Sequence, residues 1–405
     1  MSWPSVKLSD VLEFHRGITF KPEDKVETFS PSSVVCMRTK NVQEQLDESD
    51  IIAVPESFVK RDELYLQEGD LLISSANSWN LVGKVVRIPQ LNYRATAGGF
   101  ISILRPLKQL IDPDYLYRFI SSDEQQHKIR HLGRQTTNIS NLDRKRFLDL
   151  RIPLPPLSIQ RKIAAVLEKA DNLRQQSQKM EQELNSLAQS VFLDMFGDPG
   201  FNQFNWQTTI IEDVVTKVTD GEHSTPQRSA KGVYLLSARN IKAGYIDIDN
   251  EKVDFVPESE YQRISKRFEV QEGDIFISCS GTIGRTAINN ISDKVCLVRS
   301  VAVIRPQVNL VNRKFLEMYL NTDFMHLLMN KVANSSSQKN LFQNQIKKLP
   351  VFIPPIELQN EFDSKIQLID TLKRNIQNQH VEFEENFNSL MQRAFKGELD
   401  LKDVA

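Results

Sequence analysis

Cysteine is scarce in this chain of 405 residues: there are three, Cys36, Cys279 and Cys296, none close to another in sequence. Such spacing offers neither a zinc site nor a disulfide framework and fits a reducing cytoplasm. Each is expected as a free core thiol. No run of 18 apolar residues is present, so no membrane span is expected. The first residues, MSWPSVKLSDVLEFHRG, lack the basic-then-apolar order of a signal peptide. A surplus of one charge is missing too. Lys and Arg number 51 against 52 Asp and Glu, a net charge of −1. That balance neither supports nor excludes a nucleic-acid partner, because local charge decides binding.

Catalytic motifs are equally absent. There is no P-loop, no His-Glu-x-x-His, no Cys-x-x-Cys and no Asn-Pro-Pro-aromatic tetrad. FGDPG, from Phe196 to Gly200, is glycine-rich but follows a helical pattern, whereas a phosphate-cradling loop precedes one, so it reads as a cap and linker. Asp10, Glu23 and Lys25 imitate a nuclease set, yet Asp213 in the second half has no such Glu-x-Lys after it. The chain therefore reads as a binding scaffold. A stand-alone nuclease or methyltransferase, and a coiled-coil adaptor for proteins only, are readings that the remaining sequence has to be weighed against.

What is present is repetition. EGDLLIS (Glu68–Ser74) returns as EGDIFIS (Glu272–Ser278), MRTKNV as LSARNI, ISILRP as VAVIRP, and NLDRKRFLDLRIPLPPLSIQ as NLFQNQIKKLPVFIPPIELQ, always in the same order and about 200 residues on. A period this long is a duplicated domain, not a solenoid. Hydrophobic content of 40% and charge of 25% are those of globular domains, and the length calls for at least two. Within each copy, GDLLIS, KVVRI and FISIL, like GDIFIS and VAVI, read as strands, while PDYLYRFISSDEQQHKI and NRKFLEMYLNTDFMHLLMNKV read as helices.

A long helix follows each α/β part. In the first, a seam of 4–3 steps runs through Ile159, Ile163, Val166, Ala170, Leu173, Ser177, Met180, Leu184, Leu187 and Val191. In the second it runs through Leu358, Phe362, Ile366, Ile369, Lys373, Ile376, His380, Phe383, Phe387, Leu390 and Ala394, opening with steps that imply a four-residue insertion, a stutter. At about 38 residues each, the helices span roughly 57 Å. The expected fold is two tandem α/β domains separated by two long helices that pair as an antiparallel coiled coil with pseudo-two-fold symmetry. Boundaries fall at 1–155 (first domain), 156–197 (first helix), 198–353 (second domain), 354–397 (second helix) and 398–405 (tail). Lys373 and His380 are expected to fix register or to meet water.

Three kinds of segment have the chemistry to contact DNA. The first follows the repeated strand: Ser75, Asn77, Ser78, Trp79 and Lys84 in one copy, Ser280, Thr282 and Arg285 in the other. Small polar residues and then an exposed cation suit base edges and phosphates, although a hairpin with solvated polar ends has the same composition. Trp79 could stack on a base, but core packing is the favoured reading. The second is a pair of basic zones. From Gln125 to Arg151 seven Lys and Arg face two acids, and from Phe324 to Ile356 four lysines face none. Their candidates are Arg134, Gln135, Thr136, Thr137, Arg144 and Lys145, and then Ser335, Ser336, Gln338, Lys339 and Lys347, against the alternative of a mobile polar loop. The third and weakest is Arg38, Lys40 and Asn41, echoed by Arg239 and Asn240.

In their order and duplication, GDLLIS…GKV and GDIFIS…GRTA, the LRP and IRP strands, PLPPLSIQRKI and IPPIELQNEF, and LDMFGDP and FKGELD resemble the specificity subunits of type I restriction–modification systems. The resemblance covers essentially the whole chain. It departs at Glu361-Phe362, where a basic residue and isoleucine such as Lys162-Ile163 are usual, and at the apparent insertion. The resemblance implies two target-recognition domains, each reading one half of an interrupted, asymmetric double-stranded DNA sequence. It implies a helix pair that sets the unread gap, and a prokaryotic cytoplasm. The implied partners are two adenine-methylating subunits that carry S-adenosylmethionine, and motor–endonuclease subunits that use ATP and magnesium. No cofactor is implied on this chain.

Overall fold

The computed structural model describes residues 3–135, 139–249, 253–333 and 339–401. The chain forms two compact units that divide both long helices near their middles. One runs up to Gln178 and resumes from Asn378; the other is Lys179–Gln377. Each unit holds one α/β part, the first half of the long helix that follows or the second half of the one that precedes it, and the complementary half of the other long helix.

In the first unit a four-stranded antiparallel sheet runs in the order Leu12–Arg16, Ile101–Pro106, Leu71–Ser74, Val85–Arg87. A second sheet places Ser33–Met37 between antiparallel Ile52–Pro55 and parallel Ala95–Ala97. The second unit repeats both: Val215–Asp220, Val301–Pro306, Ile275–Ser278, Thr286–Ile288, and then Val233–Leu236 between Asp254–Val256 and Val295–Leu297. Every residue of Leu71–Ser74 and Ile275–Ser278 is buried, as strands covered on both faces must be. The two helical patterns each split in two. Pro113–Ser121 and Asp123–Leu132 are separated by Ser122, whose hydroxyl accepts from Gln125 N at the second N-terminus; Arg313–Leu320 and Asp323–Ala333 are the counterparts.

The long helices are Leu157–Phe196 and Ile356–Lys396. A buried glutamine fastens each to its α/β part. Gln160 accepts from Asp112 N (2.8 Å) and donates to the carbonyls of Leu110 and Pro155; Gln359 does the same with Asn312, Leu310 and Pro354. That accounts for the repeated phrase ending in Gln. In the first unit Ile163, Ala164 and Leu167 share a core with Met391 and Ala394; in the second, Phe192 and Phe196 share one with Phe362, Ile366 and Ile369. Early residues of one helix meet late residues of the other in both units, so the pairing is antiparallel.

The second seam stands as read from the sequence, but the first needs correcting at Leu173, Met180 and Leu187. Leu173, Met180 and Leu187 are 39%, 50% and 46% exposed, and the inward stripe instead takes buried Leu167 and half-buried Arg174, Glu181 and Ala188. The centre of the pairing is polar. Arg174 reaches Glu384 (3.1 Å), and Gln377 reaches Glu181 (2.5 Å). Ser177 Oγ and His380 Nδ1, the polar members of the two seams, meet at 2.8 Å. Nor is there a four-residue insertion. The helices have 40 and 41 residues, and Phe196 packs on Phe315 (4.7 Å between rings) as Phe395 packs on the matching Tyr115 (5.3 Å). The misread seam had created the stutter.

Candidate nucleic-acid interface

Two segments that the sequence suggested separately are joined in space. After Leu71–Ser74 the chain continues into Ala76–Asn77, which pairs with Ser140–Asn141, and that strand pairs with Arg134–Gln135. Leu142 N donates to Ser75 O (2.8 Å). The second unit repeats the junction: Ser280 bridges to Asn340, and Leu341 N donates to Cys279 O (2.9 Å). The polar loop and the basic zone thus form one surface in each unit.

Several candidates stand on that surface. Ser78 is exposed, as are Arg144 and Lys145 on the short helix Arg144–Leu148, whose N-terminus Asp143 caps by accepting from Lys145 N and Arg146 N. The Arg144 guanidinium lies 5.3 Å from the centre of the Phe14 ring. Asn77 is half-buried and donates to Ser74 Oγ. Thr282 and Lys339 are exposed, and Ser280 is half-buried. Lys84 and Arg285 are half-buried behind left-handed Gly83 and Gly284, and neither has an acidic partner among the described residues. Lys84 Nζ donates to Gln43 Oε1, a neutral group that leaves its charge uncompensated. Arg134 and Gln135 are described by backbone only. Thr136, Thr137, Ser335, Ser336 and Gln338 lie outside the described residues.

Other candidates are engaged within the fold. Ser75 Oγ donates to Ser102 Oγ (2.6 Å), and Lys347 pairs with Glu212 (2.9 Å). Arg38 and Lys40 share Asp50 at 2.8 and 2.6 Å, and their hydrogen bonds, that from Lys40 foremost, hold its carboxyl below the usual range. Arg239 pairs with Asp254 (2.9 Å). Asn41 and Asn240 need a correction: both are buried, and their side chains staple the turns that contain them. Asn41 accepts from Arg38 N and donates to the Asp47 and Asp50 carbonyls; Asn240 accepts from Ser237 N and donates to Asp247 O. Those amides are spent inside the protein and are withdrawn from the interface. Trp79 is not in the core. It is 38% exposed, edge-on to His131 (5.6 Å) with the Arg130 guanidinium 5.7 Å from its centre.

The sequence reading missed a turn that ties these segments together. In the first unit Gly98–Ile101 closes on itself (Ile101 N to Gly98 O, 2.8 Å) and is braced on three sides. Gly17 N and Ile18 N donate to Ile101 O and Ala97 O, Gly98 N donates to Met37 O, and Phe100 O accepts from Ser75 N and Ala76 N. The second unit has the same bracing by Gly221 and Glu222, Leu236 and Cys279 around Val298–Val301. At the tip stand Gly99-Phe100 in one copy and Arg299-Ser300 in the other. The only sequence signal was position: the tip immediately precedes the repeated ISILRP and VAVIRP.

The cysteines are buried as expected, and burial pushes each thiol up to about 12. Among the described residues no group of His, Cys, Asp and Glu could hold a metal ion, and no helix is long and apolar enough to cross a membrane.

The model of the type I restriction modification DNA specificity domain matches residues 2–186 and again 204–382. The chain is 25% identical to the type I restriction enzyme EcoKI specificity subunit of Escherichia coli K12, over 98% of this chain and 89% of that one. It is 23% identical to the StySPI specificity subunit of Salmonella potsdam, with the same coverage. The fold matches the crystal structure of the type I restriction–modification S subunit from M. genitalium with a TM-score of 0.58 at 14% identity, over 98% of this chain and 96% of that one. A chain from a structure that addresses complex assembly and conformational transition of the type I R-M system gives 0.57 at 16% identity, over 98% of each chain. Duplicated α/β parts, paired long helices and a family model that matches twice agree: this chain belongs to the type I restriction–modification DNA specificity family, of which it carries two tandem domains.

Proposed function

We propose that the chain is the DNA-reading subunit of a type I restriction–modification complex. Each α/β part reads one half of a bipartite, asymmetric double-stranded target, while the helix pair sets the unread gap and docks two adenine-methylating subunits. The observation that carries this is the repeated junction of polar loop and basic zone. One scaffold appears twice, with tips and loops that differ in chemistry, as two unlike half-targets require. Phosphate contacts from Lys84, Arg144 and Lys145, and from Arg285 and Lys339, would position each half, and hydroxyls and amides beside them would read base edges. In this reading the chain catalyses nothing. S-adenosylmethionine sits on the methylating subunits, and ATP and magnesium on the motor–endonuclease subunits.

The test is to map methylated adenines in cells that carry this chain with its partner subunits. Two short defined runs separated by a gap of fixed length and free sequence support the proposal. A continuous target, or methylation independent of this chain, contradicts it.

A further inference from the structure

The braced turn holds a large apolar ring out to solvent. Phe100 is 64% exposed, yet its backbone is held by hydrogen bonds from several segments. Its carbonyl accepts from both Ser75 (2.8 Å) and Ala76 (3.2 Å), and the turn beneath it is tied to Gly17, Ile18 and Met37. The constraint extends to side-chain volume at its base, where a Cβ on Gly17 would lie 2.3 Å from Gly98 O. A rigid mount for an exposed ring, hydrogen-bonded to the start of the polar loop at Ser75 and Ala76, has the form of an apolar wedge. The second unit builds the same mount and puts no ring on it. Ser300 occupies the position, its hydroxyl accepting from Ala238 N (3.1 Å), and exposed Arg299 stands beside it without an ion pair among the described residues.

Resting on the proposal that each unit reads half of a DNA target, we propose that Phe100 inserts against the bases of the first half-target and partly unstacks one base step. The second half-target, met by Arg299 and Ser300, is read without such a wedge. Domain recognition is then asymmetric in mechanism as well as in sequence. The first half pays for its contacts by deforming the duplex, so flexible pyrimidine–purine steps are favoured at the wedge.

The experiment uses the full chain co-purified with its methylating partners and duplexes of the mapped target, each carrying one 2-aminopurine placed away from the methylated adenines and their neighbours, because the methylating subunits flip those bases out of the stack in either half. A fluorescence rise at one step in the first half and none in the second is expected. Phe100→Ala should abolish the rise and weaken binding by about five- to a hundredfold, the range for losing one aromatic–base contact, while Phe100→Trp restores both. Its thermal midpoint should match that of the wild type, since the ring supports no core. A rise that persists in Phe100→Ala, or no rise at any position in the wild type while specific binding is intact, overturns the wedge. Loss of preference for the mapped target over a scrambled duplex in the wild-type complex would instead sink the DNA-reading proposal on which it stands.

Discussion

The two carboxylate oxygens of Asp70 accept from Nε and Nη2 along one edge of the Arg105 guanidinium, at 3.0 and 2.8 Å, and Asp274 accepts from Arg305 in the same way at 2.7 and 2.8 Å. Each carboxylate also accepts from the backbone three residues earlier, at Gln67 and Gln271, and its side chain is 2% exposed. Two phrases that recur in the sequence, the EGD before one strand and the arginine before proline that ends another, are the two ends of one buried, bidentate pair. The acidic phrase is architecture rather than a catalytic centre.

Breaking such a pair from one side strands the other charge. Asp70→Ala and Asp274→Ala should each cost about 3–5 kcal/mol, each in its own unit, and hydrogen exchange should locate the loss there. A loss under about 1 kcal/mol at either position would show that solvent reaches the guanidinium freely.

The meeting of Ser177 with His380 makes the polar centre of the helix pair measurable. A double-mutant cycle with Ser177→Ala and His380→Ala should return a coupling of about 0.5–1.5 kcal/mol, that of one hydrogen bond at a partly buried site. Strict additivity would mean that the two polar interruptions fall opposite one another without interacting.

Glu317 is fully enclosed, accepts from Asn321 (2.6 Å) and lies 3.7 Å from Lys314. Burial, its foremost influence, raises its carboxyl above the ordinary value. A carboxyl raised on folding holds its proton longer in the native state, so its contribution to stability falls as pH rises from the unfolded value through the folded one. Glu317→Gln keeps the acceptor for Asn321 and removes the titration. Its stability relative to the wild type should therefore improve as pH increases. Denaturant unfolding across the acid-to-neutral range checks this, and a difference that is flat or declines with pH contradicts it.

Lys84 and Arg285 are cations at equivalent places in the two units, and neither has an acidic partner among the described residues. Replacing either with alanine should weaken DNA binding and reduce the salt dependence by about one counterion. Arg38→Ala and Arg239→Ala should change the slope less, because Asp50 and Asp254 already neutralise those side chains. An unchanged slope in both Lys84→Ala and Arg285→Ala removes phosphate contact from their role.

Much of the architecture was legible because it is written twice. Order and spacing gave the duplication, and strand patterns bounded by turn residues gave Leu71–Ser74, Val85–Arg87 and Ile101–Pro106. The first helix seam was not, because its inward stripe includes half-buried Arg174 and Glu181 while Leu173 and Met180 face outward; a count of apolar residues follows the wrong stripe when the centre of a pairing is polar. Asn41 and Asn240 misled for a related reason. An amide beside a cation has the composition of a base reader, and only the closed turn shows it occupied by carbonyls. Phe100 escaped because exposure cannot be read from identity, and a phenylalanine ahead of a strand looks like core.

The central claim is a division of labour, one α/β part for each half of the target. It is tested most directly by exchanging residues 1–155 for the corresponding part of another specificity subunit and mapping methylated adenines in cells carrying the chimera. One half of the target should change to that of the donor, with the other half and the gap retained. If both halves change, or neither does, the account is wrong.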